Sequence, residues 1–406
     1  MGQQTKQNTG VYLYLSSLLI FIACFAVGLA IAARKPLWGD EIVSLNYVAN
    51  SSYVSLLTQR ILEGNICHLF YLLQKVFCDL AGFSLPAPWA AGDWQYVDPR
   101  SWMIVRLNPI FFMSLAITLI FYYFSRFYSK IAGWYSLFIV LSSYMVWGYW
   151  AEARPYALWI FLITAQSFLF LRLVEAKRFS KSTGTLLVIV HLLLAFTSIL
   201  SVVLVVSVSC LLWIYVDKDW RRYILLTALP SLISFIYYLY SPKWQWWFAN
   251  TPLELINASI PKDRFLIIFL FVGFLLLSLG QKRTDRLRFF NSDVIKKGIP
   301  YLILTGLTVL SAFAVIFSFQ LIANTDHQGF QVPGRYFIYL TPVGIIAVTL
   351  FSIQLWRACP PGQPTGRRAL RGKIWLQILL AGGLGCLILF RAVRTYVLVK
   401  GFYFFH

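Results

Sequence analysis

From Gly10 to Ala33 the chain carries no charged side chain. A run of that length matches the hydrocarbon thickness of a bilayer. Inside a bilayer the backbone must satisfy its own hydrogen bonds, which leaves helices or a closed barrel. The run is apolar on every side rather than alternating, so it predicts a helix. Similar runs recur at roughly 103–124, 131–150, 154–174, 185–199, 200–216, 223–240, 265–280, 298–320, 336–356 and 374–391. With 11–33 they predict about eleven transmembrane helices. The pair at 185–216 is short and weakly separated. With 59% hydrophobic and 12% charged residues among 406, no stretch is left for a separate soluble domain. The expected architecture is an all-α polytopic membrane protein forming one domain over 1–406.

The net charge of +20, from 35 Lys and Arg against 15 Asp and Glu, would suggest nucleic acid in a soluble chain. Here the cations sit largely in short links between apolar runs, where topology and lipid headgroups account for them. Their bias places the N-terminus in the cytoplasm, and an odd number of spans places the C-terminus outside. The N-terminus is polar and no small-residue cleavage site follows the first run, so a retained helix is expected rather than a signal peptide. The segment 34–102 is the longest link, with 241–264 and 321–335 next, and all three fall on the extracytoplasmic face. Most of the acids fall there too.

The long first loop has structure of its own. Over 66–80, Ile66, Leu69, Phe70, Leu73, Val76, Phe77 and Leu80 share one helical face, and His68, Tyr71, Lys75 and Asp79 the other. That period predicts an amphipathic helix able to lie flat on a membrane, and 42–60 reads as a weaker second one. Cys67 and Cys78 are about 16 Å apart on such a helix, too far for a disulfide. Cys24, Cys210 and Cys386 lie in apolar runs and read as small hydrophobes. Among 15 Trp, 23 Tyr and 34 Phe, some suit a lipid groove or sugar rings, and core packing uses the rest. His191, Thr197 and Ser198 are expected to hydrogen-bond between helices.

Three outer passages carry acids and bases. Gly39-Asp40-Glu41 follows the first span, where Asp40 either caps a helix from Ile42 or accepts a proton from a hydroxyl. Glu152-Ala153-Arg154-Pro155-Tyr156 opens the fourth span, Pro155 suiting a first turn. Glu152 and Arg154 then either tie loops together or receive an anionic group at the helix mouth. Asp326-His327 leads to Gly334-Arg335-Tyr336, where Arg335 either snorkels or grips phosphate bidentately. Lys243 lies among Trp244, Trp246 and Trp247, as an interfacial anchor or a substrate contact. A divalent cation at Asp40, Glu41 or Glu152 suits the chemistry, though no ligand spacing demands one.

These passages resemble those of polytopic GT-C glycosyltransferases that use polyprenyl-phosphate sugars. The nearest are the family 39-like relatives of protein O-mannosyltransferases and of the lipid A aminoarabinose transferase. Leu37-Trp38-Gly39-Asp40-Glu41 matches the family's acidic motif after the first helix. Glu152-Ala153-Arg154-Pro155-Tyr156-Ala157-Leu158 is similar to its Glu-Ala-Arg-x-Tyr-Ala-Leu segment, and Gly334-Arg335-Tyr336 resembles the Arg-Tyr opening a late helix. The family's His-Pro-Pro has no counterpart; Asn65-Ile66-Cys67 stands there. The large C-terminal soluble domain of some relatives is also missing from the pattern.

The resemblance implies a GT-C fold and an inner-membrane enzyme. It would move a sugar from polyprenyl phosphate to an extracytoplasmic lipid, glycan or protein acceptor, with inversion. Asp40 would be the general base and Glu41 its helper. Glu152, Arg154, Tyr156, Lys243, His327, Arg335 and Tyr336 would bind substrate, with Arg335 on the donor phosphate. The rival readings are a flippase or transporter of a lipid-linked oligosaccharide, and a polysaccharide polymerase or ligase. The first needs ionisable groups near mid-bilayer, whereas most charges here sit at span ends. The second would place its largest outer loop late in the chain.

Overall fold

A computed structural model describes residues 2–58, 67–83, 99–178, 180–240, 298–311, 337–358 and 388–397, with 382, 385 and 386. The described residues are almost wholly helical and contain no strand. The helices are α1 (Gly2–Ala32), α2 (Gly39–Ala49), α3 (Tyr53–Thr58), α4 (His68–Leu80), α5 (Pro99–Val105), α6 (Leu107–Phe127), α7 (Lys130–Leu141) and α8 (Tyr144–Gly148). There follow α9 (Tyr156–Ala176), α10 (Lys181–Ala195), α11 (Ser201–Tyr215), α12 (Arg221–Ala228), α13 (Ser231–Tyr240), α14 (Gly298–Ser311) and α15 (Leu340–Ala358). Among them Gly10–Ala32, Leu107–Phe127 and Tyr156–Ala176 are long and apolar enough to cross a membrane. The fold is therefore all-α with helices of membrane-spanning type. The expected span at 265–280 lies outside the described residues.

The helices sort by what surrounds them. α6 packs against α1, α7 and α9, and α9 buries most of its circumference. By contrast α1 exposes Leu15, Leu18, Leu19 and Ile22, a surface that only an apolar solvent covers without penalty. Gly28 sets the approach of α1 to α6. A Cβ there would stand 2.6 Å from Ile110 Cγ2 and 3.0 Å from Trp150 Nε1. Overpacking of this kind costs about 1–3 kcal/mol. Gly28→Val is expected to lower the midpoint of thermal unfolding in detergent, and an unchanged midpoint would mean that α1 does not sit this closely.

Two expected spans are each broken. The run 131–150 divides into α7 and α8 at Ser142–Ser143. Arg391 Nη1 donates to Ile139 O at 3.0 Å and Thr395 Oγ1 to Ser142 O at 2.9 Å, so side chains satisfy the carbonyls at the break. The run 223–240 divides into α12 and α13 at Leu229–Pro230, where proline removes a donor and crowds the preceding turn. His191 Nδ1 lies 2.6 Å from Thr227 O and its Nε2 2.9 Å from Gln166 Nε2. Ser209 Oγ lies 2.8 Å from Thr227 Oγ1. The expected interhelical hydrogen bonding of His191 thus joins α9, α10, α11 and α12 at the break.

The amphipathic helix of the first loop is present as α4, with its faces turned differently from a surface helix of a soluble protein. His68, Tyr71, Gln74 and Cys78, with Phe70, turn toward the protein, while Val76 and Leu80 are exposed, Leu80 by 81%. Gln74 Nε2 donates to Val105 O at 2.6 Å and Gln74 Oε1 accepts from Asn108 Nδ2 at 3.1 Å. Such an arrangement suits a helix whose outer side meets lipid. Backbone hydrogen bonds from Cys67 N to Thr197 O at 3.0 Å and from Leu69 N to Phe196 O at 2.9 Å seat α4 on the α10–α11 turn.

Candidate functional site

α2 begins at Gly39, with Trp38 as its N-cap. Asp40 therefore lies inside the first turn and is not the cap. The capping carboxylate is that of Glu41, whose Oε2 accepts from Trp38 N at 3.3 Å. Both acids sit where a helix dipole favours negative charge, yet successive positions on a helix face different ways, and their surroundings differ.

Glu41 is fully buried and bound on both oxygens. Arg106, the residue before α6, donates through Nε to Oε1 at 2.8 Å and through Nη2 to Oε2 at 2.6 Å, a bidentate pair. Ala153 N adds a third bond to Oε1 at 2.7 Å. The same guanidinium donates to Ala32 O at 3.2 Å, to Pro36 O at 2.9 Å and to Lys35 O. It thereby fastens the exit of α1 and the start of α2 to the top of α6, and the Glu41 carboxylate ties in the loop before α9. Burial alone pushes the Glu41 carboxyl up, but Arg106, Lys35 and the Ala153 N–H together hold it below the ordinary carboxylate range. These contacts make Glu41 a positioning group, rather than the acceptor-facing helper that its place beside Asp40 suggests.

Asp40 faces the other way. Its side chain is 33% exposed, against 4% for Glu152 and 0% for Glu41. Arg154 Nη2 stands 4.0 Å from Asp40 Oδ2. Arg154 Nη1 donates to Asp40 O at 3.3 Å and to Ser44 Oγ at 2.8 Å. The Arg154 guanidinium also stands 5.9 Å from the centre of the buried Tyr156 ring. Glu152 Oε2 lies 3.7 Å from Lys35 Nζ, both side chains being buried.

Five of the expected site residues, Asp40, Glu41, Glu152, Arg154 and Tyr156, therefore meet at one end of the helices. Lys243, His327, Arg335 and Tyr336 lie outside the described residues. Tyr339, three residues past Tyr336, has its ring 5.1 Å from that of Trp159, three residues past Tyr156. The chain just beyond the third motif is thus in contact with the helix that carries the second.

The donor set fits a divalent cation poorly. Glu41 has both oxygens bound by Arg106, and Glu152 and Asp40 each have a cation within 4.0 Å. Among the described residues no group of three His, Cys, Asp or Glu is suited to hold a metal.

Arg106, Lys35 and Ser44 were not singled out by pattern. For Arg106 a signal exists, since it falls inside the apolar run 103–124, where a charge needs a partner. Lys35 and Ser44 carry no such mark. No protein-family model matches the chain, and no curated protein matches it.

Proposed function

We propose that the chain is a membrane glycosyltransferase of GT-C type. It moves a sugar from a polyprenyl-phosphate donor to an acceptor hydroxyl or amine on the extracytoplasmic side of the inner membrane. The observation that carries this reading is the division of labour between two adjacent acids. Glu41 is locked into the frame by Arg106, and this leaves Asp40 half-exposed at the mouth beside Arg154.

In the proposed reaction the acceptor oxygen attacks the anomeric carbon opposite the lipid phosphate. The new C–O bond forms as the bond to phosphate oxygen breaks, inverting the centre. The acceptor proton passes to Asp40. A carboxylate is a weak base toward an alcohol, with an ordinary pKa of about 4. It accepts the proton once charge develops on the attacking oxygen. Arg335 is assigned to the phosphate left on the lipid, where a guanidinium binds two oxygens at once. Holding two membrane-borne substrates at one mouth supplies the rest of the acceleration by proximity. About eleven spans, with the N-terminus in the cytoplasm, bring the three motif passages to the same side. For the first two passages this is supported by the bonds of Ala153 N to Glu41 and of Arg154 to Ser44.

The test is transfer by the full chain in vesicles, against a panel of polyprenyl-phosphate sugars and membrane extracts as acceptor. Lipid phosphate is expected to be released one for one with glycosylated acceptor. Movement of the lipid-linked sugar across the bilayer with no transfer would instead support the flippase reading.

A further inference from the structure

Trp159 and Tyr339 are among the most deeply buried large side chains, at 1% and 0% exposure. Their rings touch, tilted by 36°. Neither Trp159 Nε1 nor Tyr339 Oη has a hydrogen-bond partner among the described residues. Thr341, in the first turn of α15, carries a third buried hydroxyl of the same kind. Buried indole and phenol groups ordinarily find a partner, and one left unsatisfied is destabilising. Two such donors on touching rings, one on α9 and one in the turn before α15, call for an oxygen from outside the protein.

The surroundings define that oxygen. Trp159 lies one turn into α9, its backbone N–H bonded to Pro155 O at 2.9 Å, next below the Arg154–Tyr156 segment. Tyr339 immediately precedes α15, whose N-terminal end favours negative charge. Phe337 stands 6.4 Å from Tyr339, ring to ring, and adds apolar surface. Neutral donors, a positive helix end and aromatic faces together complement an anionic oxygen on an apolar body.

We propose that Trp159 and Tyr339 bind a phosphate oxygen of a lipid phosphate, with their rings against the first units of its chain. This rests on the glycosyltransferase reading and names the residues that recognise the carrier. Thermal unfolding of the purified full chain tests it, with farnesyl phosphate, farnesol and inorganic phosphate added separately. Farnesyl phosphate alone is expected to raise the midpoint.

Tyr339→Phe and Trp159→Phe remove a donor that the protein itself does not use. Without ligand, Tyr339→Phe should unfold at the wild-type temperature or higher. Both variants should bind farnesyl phosphate about 10-fold more weakly, as loss of a hydrogen bond to a charged group predicts. Equal farnesyl phosphate affinity in wild type and both variants would overturn this assignment and leave the lipid-phosphate reading standing. The assignment also falls if Tyr339→Phe alone is destabilised, since the hydroxyl would then have a structural partner. An equal response to farnesol, or a response to inorganic phosphate alone, would overturn it as well. No response of the wild type to farnesyl phosphate would overturn both readings.

Discussion

Arg106→Met is expected to destabilise the protein by about 3–5 kcal/mol, because it leaves Glu41 as an uncompensated buried charge. It also strips the carbonyls of Ala32, Lys35 and Pro36 of a donor. The two contributions separate in a double substitution. With Glu41→Leu added, no charge remains to be paired, and replacement of a buried ion pair by apolar groups is often neutral. The carbonyls stay unsatisfied, so the double variant should recover only part of the loss. Thermal unfolding in detergent measures both variants against the wild type. A single-variant loss under 1 kcal/mol would show that Arg106 is not what joins these segments. The pH dependence follows from the same pair. The folded Glu41 carboxyl lies below its unfolded value, so its stabilisation is complete above the unfolded value of about 4.3. It is lost as pH falls through the lowered folded value. Glu41→Gln should flatten that acid limb of the stability profile.

Asp40→Asn is expected to reduce transfer by at least 10²-fold, the lower range for removal of a general base. The unfolding midpoint should stay near that of the wild type, since Asp40 is partly exposed and its nearest cation stands 4.0 Å away. The comparison with Glu41→Gln is the informative one. The two substitutions sit side by side in sequence. One should lower turnover at constant stability, and the other should lower stability first. Normal turnover by Asp40→Asn would sink the assignment of the base.

What was legible in the sequence followed from composition and local pattern. Long apolar runs gave α1, α6 and α9, and the period of 66–80 gave α4. The motif residues of the first two passages do come together. The unequal roles of Asp40 and Glu41 were less legible, because they depend on where α2 starts. That start is set by Trp38 and by an arginine 65 residues downstream. Which side of α4 faces the protein depends on Gln74 finding Val105 and Asn108, contacts that no local window contains. Pro230 sits at the break between α12 and α13, although 223–240 reads as one span, whereas the break at Ser142–Ser143 carries neither proline nor glycine. It relies on Arg391 and Thr395, about 250 residues away.

The Arg106 fork also has a bearing on biogenesis. The backbone oxygens at 32–36 and the Glu41 carboxylate are synthesised long before the guanidinium that pairs with them, and the Ala153 N–H comes later still. At ordinary ribosomal speed, roughly 10 s separates the first of these groups from the last. Until residue 106 is made, the guanidinium that binds the exit of the first helix is missing. A nascent chain halted before residue 106 should therefore present an α1 still able to shift in depth or be pulled back. One halted after residue 153, with enough length to clear the translocation machinery, should hold it fixed.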